Sequence, residues 1–361
     1  MRLAVLAVSL LLGLAISAPA AAAQPAQPAK PANKCTLKDP RLAKLSGIYA
    51  GKDRWYAVDS GGNQSIVFVL RKDCTVERQI TGSTDPFDVQ DLGRAADGTF
   101  LLGDGGDSKG VRTTAALIAL TPQGKSTLYR LTYPDGKHDA GALLVSSNGA
   151  PYFITKDPGN AAVYSPVTQL KSPGPTAMKK VTTIKLAATN TPGGPAPAAI
   201  GSRTITGGAV SQDGTVVAVR TYTDAYLFAA PDKDITKALA GKPVRVPLPN
   251  EAQGEAIAFE TDGSLLAASA KTGQPIQLVA KATALVAAPQ KPSTSQPPSQ
   301  KAPQSAAPQP AAGISTAAPV AKQSLPIVPA AGVAILLVMG VLAMLRWRNT
   351  RSRRQFYRTG R

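Results

Sequence analysis

The amino-acid sequence predicts an all-β fold of the β-propeller class, and two observations support this prediction. The first is a hairpin-like unit, clearest at Gly254–Ser269, in which two apolar runs flank an Asp-Gly turn. The second is the recurrence of this unit at intervals of 44 to 65 residues, with its turns at Asp53, Asp97, Asn148, Asp213 and Asp262. Strand repeats of roughly 40–50 residues are typical of propellers with one four-stranded blade per repeat.

The five units share a register. In four of them an aliphatic residue stands five positions before the turn residue, namely Ile48, Leu92, Leu143 and Ile257. The unit around Asp213 reads as if one residue were deleted from its first arm. We therefore predict five blades over residues 35–282. Six blades is the alternative if Pro-rich connections such as Asn190–Gly201 contain strands.

Blade five shows only three strands in the sequence. An open propeller would leave an unpaired edge strand, which invites aggregation. We therefore expect the segment around Cys35–Leu37, or the stretch just after it, to supply the fourth strand. Cys35 and Cys74 are the only two cysteines, and we predict that they form a disulfide bond in an oxidising compartment. Unpaired thiols are the alternative.

The N-terminal segment is expected to direct export. Residues 1–23 combine Arg2, an apolar stretch and a small-residue end, which is typical of a cleaved signal peptide. An uncleaved membrane anchor is the alternative. Residues 24–34 are rich in Pro and Ala, which predicts a disordered leader.

The C-terminal part is expected to anchor the chain in a membrane. Residues 283–325 are rich in Pro, Ala, Ser and Gln and predict an extended stalk. Residues 326–345 have the length and apolarity of a single membrane-spanning helix, and residues 346–361 form an Arg-rich tail. Because basic flanks remain cytoplasmic, we predict a single-pass cell-membrane protein with an extracellular propeller and a cytoplasmic C-terminus.

The charge of the chain restricts its partners. The formal net charge is +18, but the Arg-rich tail contributes a large share and the remaining basic residues are dispersed. Aromatic residues are few and export is expected, so nucleic acid is not a predicted partner. Apart from the membrane itself, the expected partners are a cell-wall polymer, a glycan or a protein ligand.

Candidate site residues follow from the propeller register. The positions two before the shared aliphatic residues are Ser46, Gln90, Gly141 and Glu255, and we expect them to face the central channel where loops converge. Together with polar loop residues they give a predicted ligand-binding set: Glu255, Gln90, Asp104, Asp107, Lys156, Arg220 and Tyr222.

Three carboxylates are candidates for a metal site, namely Asp88, Asp107 and Glu255. Ca²⁺ is the ion that prefers such oxygen ligands. Apart from this ion, no cofactor is predicted. In the alternative interpretation the Asp side chains satisfy backbone donors in turns, and Glu255 pairs with Arg220. The sequence contains no HExxH, CxxC, P-loop or dinucleotide fingerprint, so these chemistries are unsupported and no catalytic residue is predicted.

The phrases CTLKDPRLAKLSG, VDSGGN, DPFDVQDL, YPDGKHDAGALL and LPNEAQGEAIAF resemble a family of actinobacterial exported, membrane-anchored β-propeller proteins of uncharacterised function. The chain is more remotely similar to esterase-like, phytase-type propellers. The resemblance implies acidic residues at positions where this chain has Gln90 and Gly141, whereas Glu255 keeps its carboxylate.

The absence of an acid–base constellation favours a non-catalytic binding module displayed at the cell envelope over an enzyme. Two alternatives remain open. One is a degenerate propeller-type hydrolase or cation-dependent enzyme with its site at the loop face. The other is an envelope sensor that signals through the basic tail.

Overall fold

The computed structural model describes residues 30–286 of the chain. Its twenty strands form five four-stranded blades, two of which are joined edge to edge into one eight-stranded sheet, and neighbouring strands within each blade are antiparallel. Blades one and two comprise β2 (Leu45–Ala50), β3 (Trp55–Asp59), β4 (Ser65–Leu70) and β5 (Val76–Gly82), followed by β6 (Asp91–Arg94), β7 (Phe100–Asp104), β8 (Ala115–Leu120) and β9 (Ser126–Thr132).

Blades three to five complete the set. Their strands are β10 (Ala140–Val145), β11 (Pro151–Thr155), β12 (Asn160–Pro166) and β13 (Thr176–Lys185); β14 (Ile205–Val210), β15 (Val216–Thr221), β16 (Asp224–Ala229) and β17 (Val244–Pro247); and β18 (Gly254–Phe259), β19 (Leu265–Ser269), β20 (Gln274–Val279) and β1 (Ala32–Leu37). The helical elements are α1 (Ala198–Gly201), α2 (Ile235–Ala240) and 3₁₀ turns at Pro40–Leu42 and Ala282–Val286.

The blades form a closed ring. The first strands of successive blades contact one another in the order β2, β6, β10, β14 and β18, and β18 contacts β2 again. Five apolar clusters lie between adjacent blades, one at each interface. Burial of these side chains supplies the main driving force that holds the blades together. Residues 30–286 therefore have the five-bladed propeller arrangement that the repeat predicts.

The ring closes through the N-terminal strand. β1 pairs with β20 from Ala32 to Leu37, so it supplies the fourth strand of blade five as the sequence predicts. The disulfide between Cys35 and Cys74 is also confirmed. Cys35 lies in β1 of blade five and Cys74 in the turn between β4 and β5 of blade one, so the bond joins the first and last blades.

Blades two and three have an additional connection at their outer edges. The start of β13 pairs in parallel with the end of β9, through Thr176 with Leu131 and Ala177 with Thr132. The Arg130 N–H also donates to the Pro173 carbonyl oxygen at 2.7 Å. In the described part of the chain this is the one place where two blades are joined by strand pairing.

The predicted signal peptide, membrane span and basic tail lie outside the described residues. Of the predicted stalk, residues 283–286 are described and belong to the 3₁₀ turn Ala282–Val286. Of the predicted leader, residues 30–34 are described, and β1 begins within it at Ala32. Between residues 30 and 286 there is no helix of the length and apolarity needed to cross a membrane.

Candidate functional site

One end of the central channel is built by a repeated β-bulge. In blades one, three, four and five the pairing of the first strand with the second skips one residue. In blade two the corresponding residue precedes β6, and its N–H donates to the Gly103 carbonyl oxygen at 2.9 Å. A bulge redirects a side chain out of the regular alternation, which is a common device near active sites. The five residues are Ser46, Gln90, Gly141, Thr206 and Glu255, and we call this end of the channel the mouth.

Four of these positions are those predicted from the register, and Thr206 is new. The expected deletion in the first arm of blade four is wrong, because Gly208 occupies the position of the aliphatic residue. A Cβ atom on Gly208 would lie 2.7 Å from Leu144 Cδ2, so the leucine of blade three takes that space. Thr206 is fully buried and its hydroxyl donates to the Gly254 carbonyl oxygen at 2.8 Å.

Lys156 fills the space that Gly141 leaves at the mouth. A Cβ atom on Gly141 would collide with the Ile205 carbonyl oxygen of blade four and would lie 2.7 Å from Lys156 Cε and 2.8 Å from Lys156 Cγ. The Lys156 ammonium donates a hydrogen bond to Gln90 Oε1, and Gln90 Nε2 donates to Asp88 Oδ1 at 2.7 Å. A cation from blade three is thereby connected to an amide and a carboxylate of blade two.

Glu255 is the buried acid of the mouth. Its side chain is almost fully buried, and Gln253 Nε2 donates to Glu255 Oε1 at 2.8 Å. Burial raises the pKa of Glu255, while the Lys156 charge and the Gln253 hydrogen bond oppose the rise. Burial likewise raises the pKa of Asp88, against the Gln90 hydrogen bond and the Lys156 charge. Two carboxyl groups with raised pKa values thus share one ammonium group.

Two further polar side chains border this group. Burial, together with the charges of Glu255 and Asp139, raises the pKa of Tyr222 to about 12, so the phenol lies near both acids. The Ser46 hydroxyl is buried and has no hydrogen-bond partner among residues 30–286. The mouth therefore combines a carboxyl, an ammonium, an amide, a phenol and an unpaired hydroxyl.

Asp91 lies behind the mouth and connects three blades. It is fully buried, and its carboxylate accepts hydrogen bonds from the N–H groups of Leu92 at 2.8 Å, Leu143 at 2.8 Å and Gly208 at 2.9 Å. Burial raises its pKa well above the usual range, against these three hydrogen bonds. The sequence register did not distinguish Asp91, because its role depends on backbone donors of two other blades.

Asp104 and Asp107 shape a loop beside the mouth. Asp104 pairs with Arg112 at 2.9 Å and accepts the N–H groups of Phe87 at 3.1 Å and Asp88 at 2.7 Å. Asp107 accepts the N–H groups of Val111 at 2.8 Å and Arg112 at 3.0 Å. Both carboxylates are engaged within the protein. Asp104 positions the Asp88 backbone, and neither carboxylate joins the group around Lys156.

Arg220 is also engaged within the protein. It is fully buried, pairs with Glu251 and donates to the carbonyl oxygens of Ala256 at 3.0 Å and Ala268 at 3.3 Å. The expected pairing with Glu255 is therefore replaced by one with Glu251. Arg220 belongs to blade four and its acceptors to blade five, so the guanidinium joins these two blades.

The residues predicted to hold a metal ion do not form one cluster. Within residues 30–286 no three His, Cys, Asp or Glu side chains are grouped closely enough to hold a metal ion. Asp107 is engaged by backbone N–H groups, and the Lys156 charge acts on both Asp88 and Glu255. Since these residues do not fit a Ca²⁺ site, no chemistry is assigned to an ion here.

Comparison with known proteins gives no family assignment, since no family model and no curated protein matches the chain. Solved structures similar to it include a streptogramin B lyase, with 12% identity over 71% of this chain and 99% of the other and a TM-score of 0.37. A gluconolactonase from Xanthomonas campestris has 14% identity over 71% and 98%, with a TM-score of 0.39. A luciferin-regenerating enzyme has 11% identity over 69% and 92%, with a TM-score of 0.38.

These proteins are of the propeller type, and all three are enzymes by name. The expected non-catalytic binding module is not matched by these enzyme names, and we do not retain that interpretation. At these TM-scores the similarity does not extend to substrates or catalytic residues. The chemistry of the chain therefore has to be argued from its own mouth residues.

Proposed function

We propose that the chain is a propeller-type hydrolase that cleaves an uncharged carboxylic ester at the mouth, with Glu255 as general base and Lys156 as the group that stabilises the oxyanion. The observation that carries this proposal is the juxtaposition of a buried bulge carboxylate with an ammonium group bonded to Gln90. A carboxylate with a raised pKa is a better proton acceptor at neutral pH than an ordinary glutamate.

The reaction follows from these positions. The Glu255 carboxylate takes a proton from water, the water oxygen forms a bond to the ester carbonyl carbon, and the carbonyl electron pair moves to its oxygen. The Lys156 ammonium stabilises that oxyanion, as positive charge does in water-poor sites. When the intermediate collapses, the bond to the alcohol oxygen breaks and Glu255 returns the proton to this leaving group.

The charge of the mouth favours a neutral substrate. Asp88, Asp139 and Glu255 act electrostatically on neighbouring groups there. Lys156 acts on both Asp88 and Glu255, and Arg220, which is already paired with Glu251, also acts on Glu255. An anionic substrate such as a phosphate monoester would meet more negative than positive charge, which costs free energy in a site of low dielectric. The polar hydroxyl, amide and phenol groups of the mouth suit an ester with hydrogen-bonding groups near the bond that is cleaved.

The test is a comparison of purified full-length protein with its Glu255→Gln variant on neutral p-nitrophenyl esters and on p-nitrophenyl phosphate. We expect ester turnover by the wild type and a loss of about 100-fold or more in Glu255→Gln. Glu77→Gln, on the exposed edge of blade one, is the matched control and should keep full activity. Equal ester turnover by wild type and Glu255→Gln would refute the assignment.

The proposed activity is placed outside the cell. We infer that the propeller is exported and held at the cell membrane by residues 326–345, so that its substrate is an ester of the envelope, carried on a wall polymer, a glycan or a protein. The disulfide of the propeller supports an oxidising compartment. Protease added to intact cells should remove the propeller and leave the C-terminal tail protected; full protection of the propeller would contradict this topology.

A further inference from the structure

A cavity that is separate from the mouth lies between blades two and three. It has a volume of about 640 Å³ and is lined by residues of both blades. Its blade-two wall is a row of cross-strand neighbours, Leu101 with Ala119 and Ala119 with Thr127. Ala119, at the centre of that row, is small, which leaves room between the two sheets.

The strand pairing between the blades fixes the shape of this cavity. The connection between β12 and β13 crosses to the edge of blade two, where Arg130 donates to Pro173 and β13 pairs with β9. Leu170, within that connection, lines the cavity and packs on the apolar cluster between the blades. The two walls are therefore held together at their outer edge, and the space is largely preformed rather than created by a ligand.

The lining shows which ligand the cavity suits. Its apolar part includes Leu101, Leu117 and Leu170, and its polar part is mostly hydroxyl and amide groups, such as those of Thr127, Tyr129 and Gln169. The charged lining residues are Asp97 and Lys125, and both are exposed. Binding pockets for small molecules typically have volumes of about 300–1,000 Å³ and combine apolar walls with a few polar groups.

We propose that this cavity is a second binding site, for an uncharged small molecule with an apolar body and one or two hydrogen-bonding groups. A charged ligand is disfavoured because the buried part of the lining offers it no opposite charge, the two charged lining residues being exposed. The buried walls also lack a carboxyl or imidazole group for proton transfer, so the site binds and does not catalyse. It does not depend on the hydrolase proposed for the mouth.

The experiment measures binding of N-phenyl-1-naphthylamine, a neutral aromatic amine whose fluorescence rises in apolar surroundings, to the full-length protein. Ala119→Phe should fill the cavity and weaken the saturable component by about tenfold or more. Ala199→Phe, on exposed helix α1, is the matched control and should bind the probe as the wild type does. Both variants keep the rest of the chain. Fluorescence from probe that binds elsewhere is therefore the same in each and does not affect the comparison.

A second variant distinguishes a filled cavity from misfolding of Ala119→Phe. Ala119→Leu adds less volume and should weaken binding to an intermediate extent, with an unchanged circular dichroism spectrum in both variants. If folded Ala119→Phe and Ala119→Leu bind the probe as tightly as the wild type, or if the wild type shows no saturable binding, the proposal is overturned. Loss of ester turnover in Glu255→Gln has no bearing on this outcome.

Discussion

Lys156 of blade three donates a hydrogen bond to Gln90 of blade two through the space left by the missing side chain of Gly141. This contact holds a positive charge near Asp88 and Glu255, the two carboxyl groups whose pKa values burial raises. Burial raises the pKa values of both carboxyl groups, and the ammonium is one of the groups that lower them. Removal of the ammonium should therefore change the pH dependence of any reaction in which Glu255 is the base.

We expect Lys156→Met to move the acidic limb of the kcat/KM profile to higher pH. Glu255 accepts protons only when it is ionised, so activity rises as pH increases through its pKa. The ammonium lowers the pKa of Glu255, so its removal lets that pKa rise further under the effect of burial. The ionised form of Glu255 then appears only at higher pH. The measurement is kcat/KM for a neutral ester across the acidic range, in wild type and variant.

Two further variants make this prediction specific. Lys156→Arg keeps the positive charge and should leave the limb nearer its wild-type position. Lys179→Met removes an exposed lysine of β13 and should leave the profile unchanged. An acidic limb that stays in place in Lys156→Met would contradict the electrostatic role of Lys156.

The blades could be predicted from the sequence because the signals for hairpins are local. Gly98, Gly214 and Gly263 adopt positive φ values of 88°, 76° and 78° in the turns that define the repeat, as Asp-Gly turns favour. The missing strand of blade five was also predictable, since a ring cannot end in an unpaired edge. The pairing of β13 with β9 was not, because it depends on the path of a Pro-rich connection across a neighbouring blade.

The mouth could be predicted only in part. The register identified Gln90, Gly141 and Glu255, because the bulge stands at a fixed distance from the turn in every blade. It missed Thr206, since Gly208 replaces the aliphatic residue on which the alignment relied. The pairing of Arg220 with Glu251 instead of Glu255 depends on packing between blades four and five, and no spacing along the chain reports it.

Asp91 should be a main determinant of stability. Its carboxylate satisfies three buried N–H groups from blades two, three and four. Asp91→Ala leaves these donors without their acceptor, at a cost of about 1–3 kcal/mol each when no water replaces it. Urea unfolding should therefore show a clear loss of stability, with part of it recovered in Asp91→Asn, which keeps one acceptor oxygen. Asp97→Ala, in an exposed turn, is the control and should change the free energy of unfolding little. An equally small change in Asp91→Ala would contradict this role of Asp91.

The buried pair of Arg220 and Glu251 leads to a second stability prediction. Both side chains are almost fully buried, so removal of one charge leaves the other uncompensated. Arg220→Met or Glu251→Gln should each lower the free energy of unfolding by about 3–5 kcal/mol. The double variant should lose less than the sum of the two, since neither charge is then left alone. Additive losses in urea unfolding would show that the two residues act independently.

The disulfide should stabilise the closed ring. The bond between Cys35 and Cys74 spans 39 residues and joins the strand that completes blade five to blade one. Closing a loop of this length restricts the unfolded chain and is expected to contribute about 2–4 kcal/mol. Replacing both cysteines by alanine should lower the melting temperature measured by circular dichroism, and dithiothreitol should lower that of the wild type by a similar amount. The double variant supplies the control, because dithiothreitol should not change its melting temperature. If reduction leaves the wild-type melting temperature unchanged, the pairing of β1 with β20 closes the ring without help from the covalent bond.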